Sequence, residues 1–263
     1  VPPNATFEDI SDSAGIKFIH NNGATGDKLL PETMGGGVAF FDYNNDGFQD
    51  LLLVNSNDWN ENSDSLKSSI TLYKNQNGKH FVDVSNELGL TQQFYGMGVA
   101  IADYDGDGDG DIFITAVGHN LLLRNDNSLF TDVTKSAAVE GGQNEWSTSA
   151  AFFDADNDGD YDLYVVSGSY EFDENSDLLQ DRLYINYGNF TFKRSKNLPI
   201  IKSAGSIVKA SDYDNDGDLD LFIAFRNKAN VLFQNNEGKF TDVAPQMGID
   251  DSRRTVGAVW FDY

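Results

Sequence analysis

Cysteine is absent from this 263-residue chain. Disulfides, thiolate metal sites and thiol nucleophiles are therefore excluded, although the compartment does not follow from that absence. Histidine is scarce: His20, His80 and His119 stand far apart and form no ligand cluster, so each reads as structural or exposed. No apolar run reaches the roughly eighteen residues of a membrane-spanning helix. A Gly-x-Ser-x-Gly elbow is missing, as is a glycine-rich phosphate loop ahead of a helix. Gly35-Gly36-Gly37 leads instead into a strand-like run and reads as close backbone packing. Bases are few, 18 against 42 acids, for a formal charge of −24. That imbalance disfavours nucleic acid and anionic membrane surfaces as partners. Val1-Pro2-Pro3-Asn4 lacks the features of a signal peptide, and removal of a leader ahead of this numbering stays open. Asn4 and Asn189 open glycosylation sequons, which matter only in a eukaryotic secretory host.

What the chain has is a nine-residue segment written four times, at 42–50, 103–111, 154–162 and 212–220. Side-chain oxygens fall at its positions 1, 3, 5 and 9. They belong to Asp42, Asn44, Asp46 and Asp50; to Asp103, Asp105, Asp107 and Asp111; to Asp154, Asp156, Asp158 and Asp162; and to Asp212, Asp214, Asp216 and Asp220. Position 6 is always Gly, which turns the backbone so that the carbonyl of position 7 (Phe48, Asp109, Asp160, Asp218) can also point inward. A hard cation taking six to eight oxygens wants this layout, and calcium is the expected ion, about four per chain. Asn44 replaces an acid, so the first loop is expected to bind most weakly. The side chains of Asp109, Asp160 and Asp218 are expected to be solvated. Apolar strands flank every loop, which excludes the helix–loop–helix setting of an EF-hand.

The first loop residue recurs at 42, 103, 154, 212 and 262, a period of 50 to 61 residues. Each unit holds four strand-like runs. Val38–Phe41 leads into the first loop, Leu51–Val54 leaves it, and Thr71–Lys74 and Phe81–Val84 complete the unit, with counterparts in the other three. A period near 50 with four short antiparallel strands describes a β-propeller blade. The expected fold is all-β, one propeller domain over 1–263 with blades at about 37–84, 98–133, 149–193 and 206–243. Phe190-Thr191-Phe192 is expected to be the fourth strand of the third blade. Phe7–Ile10 matches a fourth-strand pattern with no blade before it, and 257–263 reads as the inner strand of a further blade. The ends therefore suggest part of a larger propeller, the alternative being that they pair in a smaller irregular ring.

The repeats resemble the FG-GAP/VCBS repeats of integrin-α-like propellers. The stretch from Asn22 through Leu30-Pro31-Glu32-Thr33-Met34 to Tyr43 is similar to the start of the cartilage acidic protein and ASPIC/UnbV group. The resemblance implies a calcium-binding, secreted or surface-exposed binding module (periplasmic or outer-membrane-associated in a bacterium) and identifies no ligand. In a propeller the acidic loops share one face of the disc. Recognition is expected on the opposite face, where long connections at 55–69 and 167–181 break the repeat. Asp58, Trp59, Trp146, Tyr170 and Glu171 are the candidate ligand-binding residues there, for a protein or glycan partner. The alternative for Trp59 and Trp146 is that they pack down as loop anchors. The metal is expected to be structural, and the chain a non-enzymatic recognition or adhesion module. A polysaccharide lyase or hydrolase, or a structural spacer in a large surface protein, is the alternative.

Overall fold

A computed structural model describes residues 6–24, 26–59, 68–168, 180–196, 201 and 204–261. Its strands form four antiparallel four-stranded units in sequence order. The first blade is β1 (Val38–Phe41), β2 (Asp50–Val54), β3 (Ile70–Gln76) and β4 (His80–Asp83). The second is β5 (Tyr95–Ala102), β6 (Asp111–Val117), β7 (Leu121–Asp126) and β8 (Leu129–Asp132). The third is β9 (Trp146–Phe153), β10 (Asp162–Gly168), β11 (Arg182–Asn186) and β12 (Phe192–Arg194). The fourth is β13 (Gly205–Ser211), β14 (Asp220–Phe225), β15 (Val231–Asn236) and β16 (Lys239–Asp242). A single bridge, Val117↔Trp146, joins the second and third blades. The architecture is all-β, a partial β-propeller in which the first strands of successive blades lie side by side.

The second strands show why an unbroken apolar run was required. Successive side chains of a strand point to opposite faces, and both faces of a blade meet another blade. On β6, Ile112 and Ile114 pack with Leu52, Val54 and Leu72 of the first blade. Phe113, between them, packs with Leu163 and Val165 of the third. On β10, Tyr164 and Val166 face the opposite way, into a cluster with Leu221, Ile223 and Phe225 of the fourth blade. The core is therefore a series of apolar layers between blades. Gly37 and Gly98 set how closely the inner strands approach. A Cβ at Gly37 would sit 2.7 Å from the Val99 nitrogen, and one at Gly98 would sit 2.8 Å from the Thr148 carbonyl oxygen. β1 departs from the expectation of two covered faces: Val38 and Phe40 are exposed, because no described blade precedes it.

Three further expectations need correction. Residues 7–10 form no strand, and Phe7 is 98 % exposed. Each described third strand is already paired with its own fourth strand, so none is left to hydrogen-bond this segment. Residues 257–261 likewise form no strand. Trp260 instead stacks on Tyr213, with ring centroids 6.4 Å apart, and meets Phe222 edge-on, capping the outer face of the fourth blade. Asp262 lies outside the described residues. In the third blade the fourth strand begins at Phe192, not Phe190. The turn after Tyr187 is longer than its counterparts and Phe190 takes a positive φ of 58°. Phe192 is the residue that fills the buried position against Tyr104, as Phe130 does against Tyr43.

Adjacent blades are also joined by amide hydrogen bonds. The side-chain Nδ2 of Asn125 donates to the Tyr43 carbonyl at 2.9 Å, that of Asn186 to the Tyr104 carbonyl at 2.9 Å, and that of Asn235 to the Ala155 carbonyl at 3.1 Å. Each Asn lies at or next to the end of a third strand and reaches into the acidic loop of the blade before. All three are buried. Asn75, the first-blade counterpart, donates only to Gln49 of its own blade and is more exposed. Replacing Asn186 by Ala strands a buried carbonyl and is expected to cost about 1–3 kcal/mol in urea unfolding. Asn75→Ala is expected to cost clearly less, and equal losses would contradict an inter-blade role.

Candidate functional site

The four acidic loops adopt one conformation. Positions 4 and 6 both have positive φ: Asn45, Gly106, Asn157 and Asn215 at the former, and Gly47, Gly108, Gly159 and Gly217 at the latter. Asn and Gly are the residues that enter this region at least cost. With these two reversals the chain wraps around the carboxylate of position 1. In the second loop its oxygens accept from Asp107 N (3.0 Å) and Gly108 N (2.9 Å), and the other loops repeat the pair. Position 5 accepts from the backbone nitrogen of position 7 in every loop.

Position 9 is built differently. Asp50, Asp111, Asp162 and Asp220 are all 0 % exposed. One oxygen accepts from the backbone nitrogen of position 2, as in Tyr104 N to Asp111 at 3.0 Å. The other accepts from the Asn at or next to the end of the third strand, as in Asn125 N to Asp111 at 2.8 Å. Burial pushes the Asp111 carboxyl up to about 8 and Asp162 up to about 7, and raises Asp50 and Asp220. Nearby loop carboxylates add to the shift, and the amide bonds oppose it.

These acids converge. In the second, third and fourth loops, positions 1, 3 and 9 bring oxygens within 4.8 Å of one another: Asp103, Asp105 and Asp111; Asp154, Asp156 and Asp162; Asp212, Asp214 and Asp220. Oxygens bound to one calcium at 2.3–2.6 Å must lie within about 5 Å of each other, so these donor sets fit a hard cation. The first loop forms no such group among the described residues. Asn44 there donates to Asp46 at 3.1 Å, and the Lys74 ammonium lies 3.3 Å from the same carboxylate. The second loop gathers one acid more than expected, because Asp126, at the end of β7, joins Asp105 and Asp107. No signal pointed to Asp126, since the matching residues elsewhere are Gln76, Tyr187 and Asn236.

The position 7 side chains are not all solvated, contrary to expectation. Asp109 and Asp218 are 7 % and 9 % exposed. Asp109 accepts from Asn45 of the preceding blade at 2.7 Å and from Asn127 N at 2.6 Å. Asp218 is held in the same way by Asn157 and by Glu237 N. Asp160 is only half-buried, and the residue that would reach it, Gly106, has no side chain.

On the opposite face, Asp58 and Trp59 line a cavity of about 610 Å³ together with Phe94, Tyr95 and His119. Trp59 stacks on Tyr95 with centroids 4.1 Å apart, and its Nε1 donates to Glu32 at 2.9 Å. Trp146 lies beneath this cavity, not on its surface: it opens β9, is 3 % exposed and packs with Tyr95 and Met97. That is an anchor's position. Tyr170 and Glu171 lie outside the described residues. Nearby, the fully buried Asp181 accepts from the Tyr164 hydroxyl (2.9 Å) and Ser167 N (2.8 Å), and burial pushes its carboxyl up to about 7.

A family model described as FG-GAP-like repeat matches residues 42–114, 103–165 and 212–263. No curated protein matches the chain. Among solved structures it is similar to BBS1N, crystallised in complex with ARL6DN and soaked with lead. The identity is 12 % and the TM-score 0.46, over 79 % of this chain and 53 % of that one. It is also similar to an Agrocybe aegerita lectin that recognises non-reducing terminal N-acetylglucosamine. Here the identity is 18 % and the TM-score 0.45, over 79 % and 52 % of the two chains. The chain thus spans about half the length of these structures.

Asp181 makes a pH prediction. Its folded carboxyl titrates near 7, above the ordinary value of 3.8. Between those values the folded state holds the proton and the unfolded state does not, so this group lowers stability as pH rises from about 4 to about 7. Asp181→Asn is expected to flatten that part of a melting-temperature profile. An unchanged slope would contradict it.

Proposed function

Since the chain belongs to the FG-GAP-like repeat family, we propose that it is a calcium-binding, non-enzymatic propeller module of an extracellular or cell-surface protein. Its acidic loops hold structural calcium, and its opposite face recognises a protein or glycan. The observation that carries this reading is the convergence of three carboxylates at the same loop positions in three successive blades. Calcium bound there supplies positive charge to side chains that otherwise repel one another. The chain's own residues do the rest. Positions 4 and 6 turn the loop, position 1 is fixed by two backbone amides, and position 9 ties the loop to the third strand.

Loops of this kind fill at the millimolar calcium found outside cells, which supports the extracellular assignment. No helix among the described residues is long and apolar enough to cross a membrane. Loop 1 is the weakest site, because Asn44 supplies no charge and Lys74 neutralises Asp46 in place of an ion. The Trp59 cavity suits recognition: a stacked aromatic wall stands beside the Asp58 carboxylate, on a scaffold held rigid by blade packing.

Calorimetry at millimolar calcium is expected to show binding at the second, third and fourth loops, with Asp158→Ala weakening one of them. An ion bound only by the folded state stabilises it by about 2.7 kcal/mol per site at a hundredfold excess over its dissociation constant. Chelation should therefore lower the melting temperature markedly. Absence of uptake, or an identical melting curve after proven removal of calcium, would overturn the reading. For the opposite face, Trp59→Ala should abolish signal on a glycan array or peptide library while leaving calcium uptake intact. Retention of that signal would exclude the cavity.

A further inference from the structure

A cavity lies at the start of the inner strands, away from the acidic loops. It encloses about 580 Å³ and is walled by all four blades and by the segment around Arg254, a volume ordinary for a small-ligand pocket. Its charge is the reverse of the chain's. Acids outnumber bases 42 to 18 overall, yet the cavity is lined by Lys209, Arg226 and Arg254 and by no Asp or Glu. None of its residues lines the Trp59 cavity.

We propose that this cavity is a carboxylate-binding site in which Arg226 and Arg254 grip the anion and Lys209 stands at its edge. Arg226 is fixed from below, its Nε donating to Ser206 Oγ at 3.3 Å. Its Nη1 is buried and has no hydrogen-bond partner among the described residues. A buried guanidinium donor left unpaired is costly. Burial, and then the like charge of Arg254, pull the Arg226 guanidinium below its ordinary range. Arg254 is exposed in the cavity wall, where a planar carboxylate matches its guanidinium fork through two parallel hydrogen bonds, and Arg226, its Nε committed to Ser206, stands beside it as a second positive charge. Glycine backbone at 35–37 and the hydroxyls of Thr33 and Ser149 leave room beside the cations for a polar ligand body. The site stands apart from the calcium loops and holds whether or not the Trp59 cavity recognises anything.

The test is calorimetric titration of the full chain, in calcium, with digalacturonate and with glutarate, and with lactose as the neutral control. At least one acid should bind, more weakly as salt rises. Arg254→Gln and Arg226→Met should each weaken it about tenfold or more, since each removes a charge-assisted pair. Arg226→Met should melt no lower than the parent, because it removes an unsatisfied buried donor; this separates lost binding from lost fold. Tighter binding of digalacturonate assigns the site to a sugar acid, and tighter binding of glutarate assigns it to an acidic peptide side chain. Failure of both acids to bind, equal binding of lactose, or full binding by the two variants would overturn the proposal.

Discussion

A single carboxylate held between two backbone amides organises each blade. The Asp at position 9 is fully buried in all four loops, and its two oxygens hold two different pieces of chain. One receives an amide from the start of the acidic loop, and the other receives an amide near the end of the third strand. The Asn at that strand end then reaches into the loop of the preceding blade. In the second, third and fourth blades the loop, its blade and the preceding blade are thus coupled through this Asp and Asn pair. Buried charge of this kind persists only when it is fully hydrogen-bonded or paired with a cation. The same geometry that satisfies the position 9 carboxylate also aims it at positions 1 and 3.

Acids crowd the end of the inner strands where the loops lie, and the bases that line the proposed carboxylate site sit at the other end. Between the two ends the blades are joined by apolar layers, whose alternation along β6 and β10 follows from the strand period alone.

The repeat made most of the fold legible. Recurrence of the nine-residue segment placed the loops, and unbroken apolar runs placed the second strands, because both faces of a blade are covered. Several features escaped for physical reasons. Phe190 and Phe192 are equivalent in type, and only the extra length of the preceding turn decides which one is buried. Phe7–Ile10 carries a fourth-strand pattern, but each described third strand is already paired with its own fourth strand. The side chains of Asp109 and Asp218 looked solvated because their partners, Asn45 and Asn157, belong to another blade some sixty residues away. Asp126 was invisible because it is peculiar to one blade. The opposite face was least legible: Trp146 and Trp59 have the same composition signal, and packing alone makes one an anchor and the other a cavity wall.

The claim on which the account turns is that the converging carboxylates are a cation's ligands as well as the blade's ties. Diffraction from crystals grown in calcium, recorded at a wavelength where calcium scatters anomalously, tests it most directly. The account predicts anomalous peaks within about 2.3–2.6 Å of carboxylate oxygens in the second, third and fourth loops, with the weakest or no peak in the first. Peaks elsewhere on the surface, with those three loops empty, would contradict it.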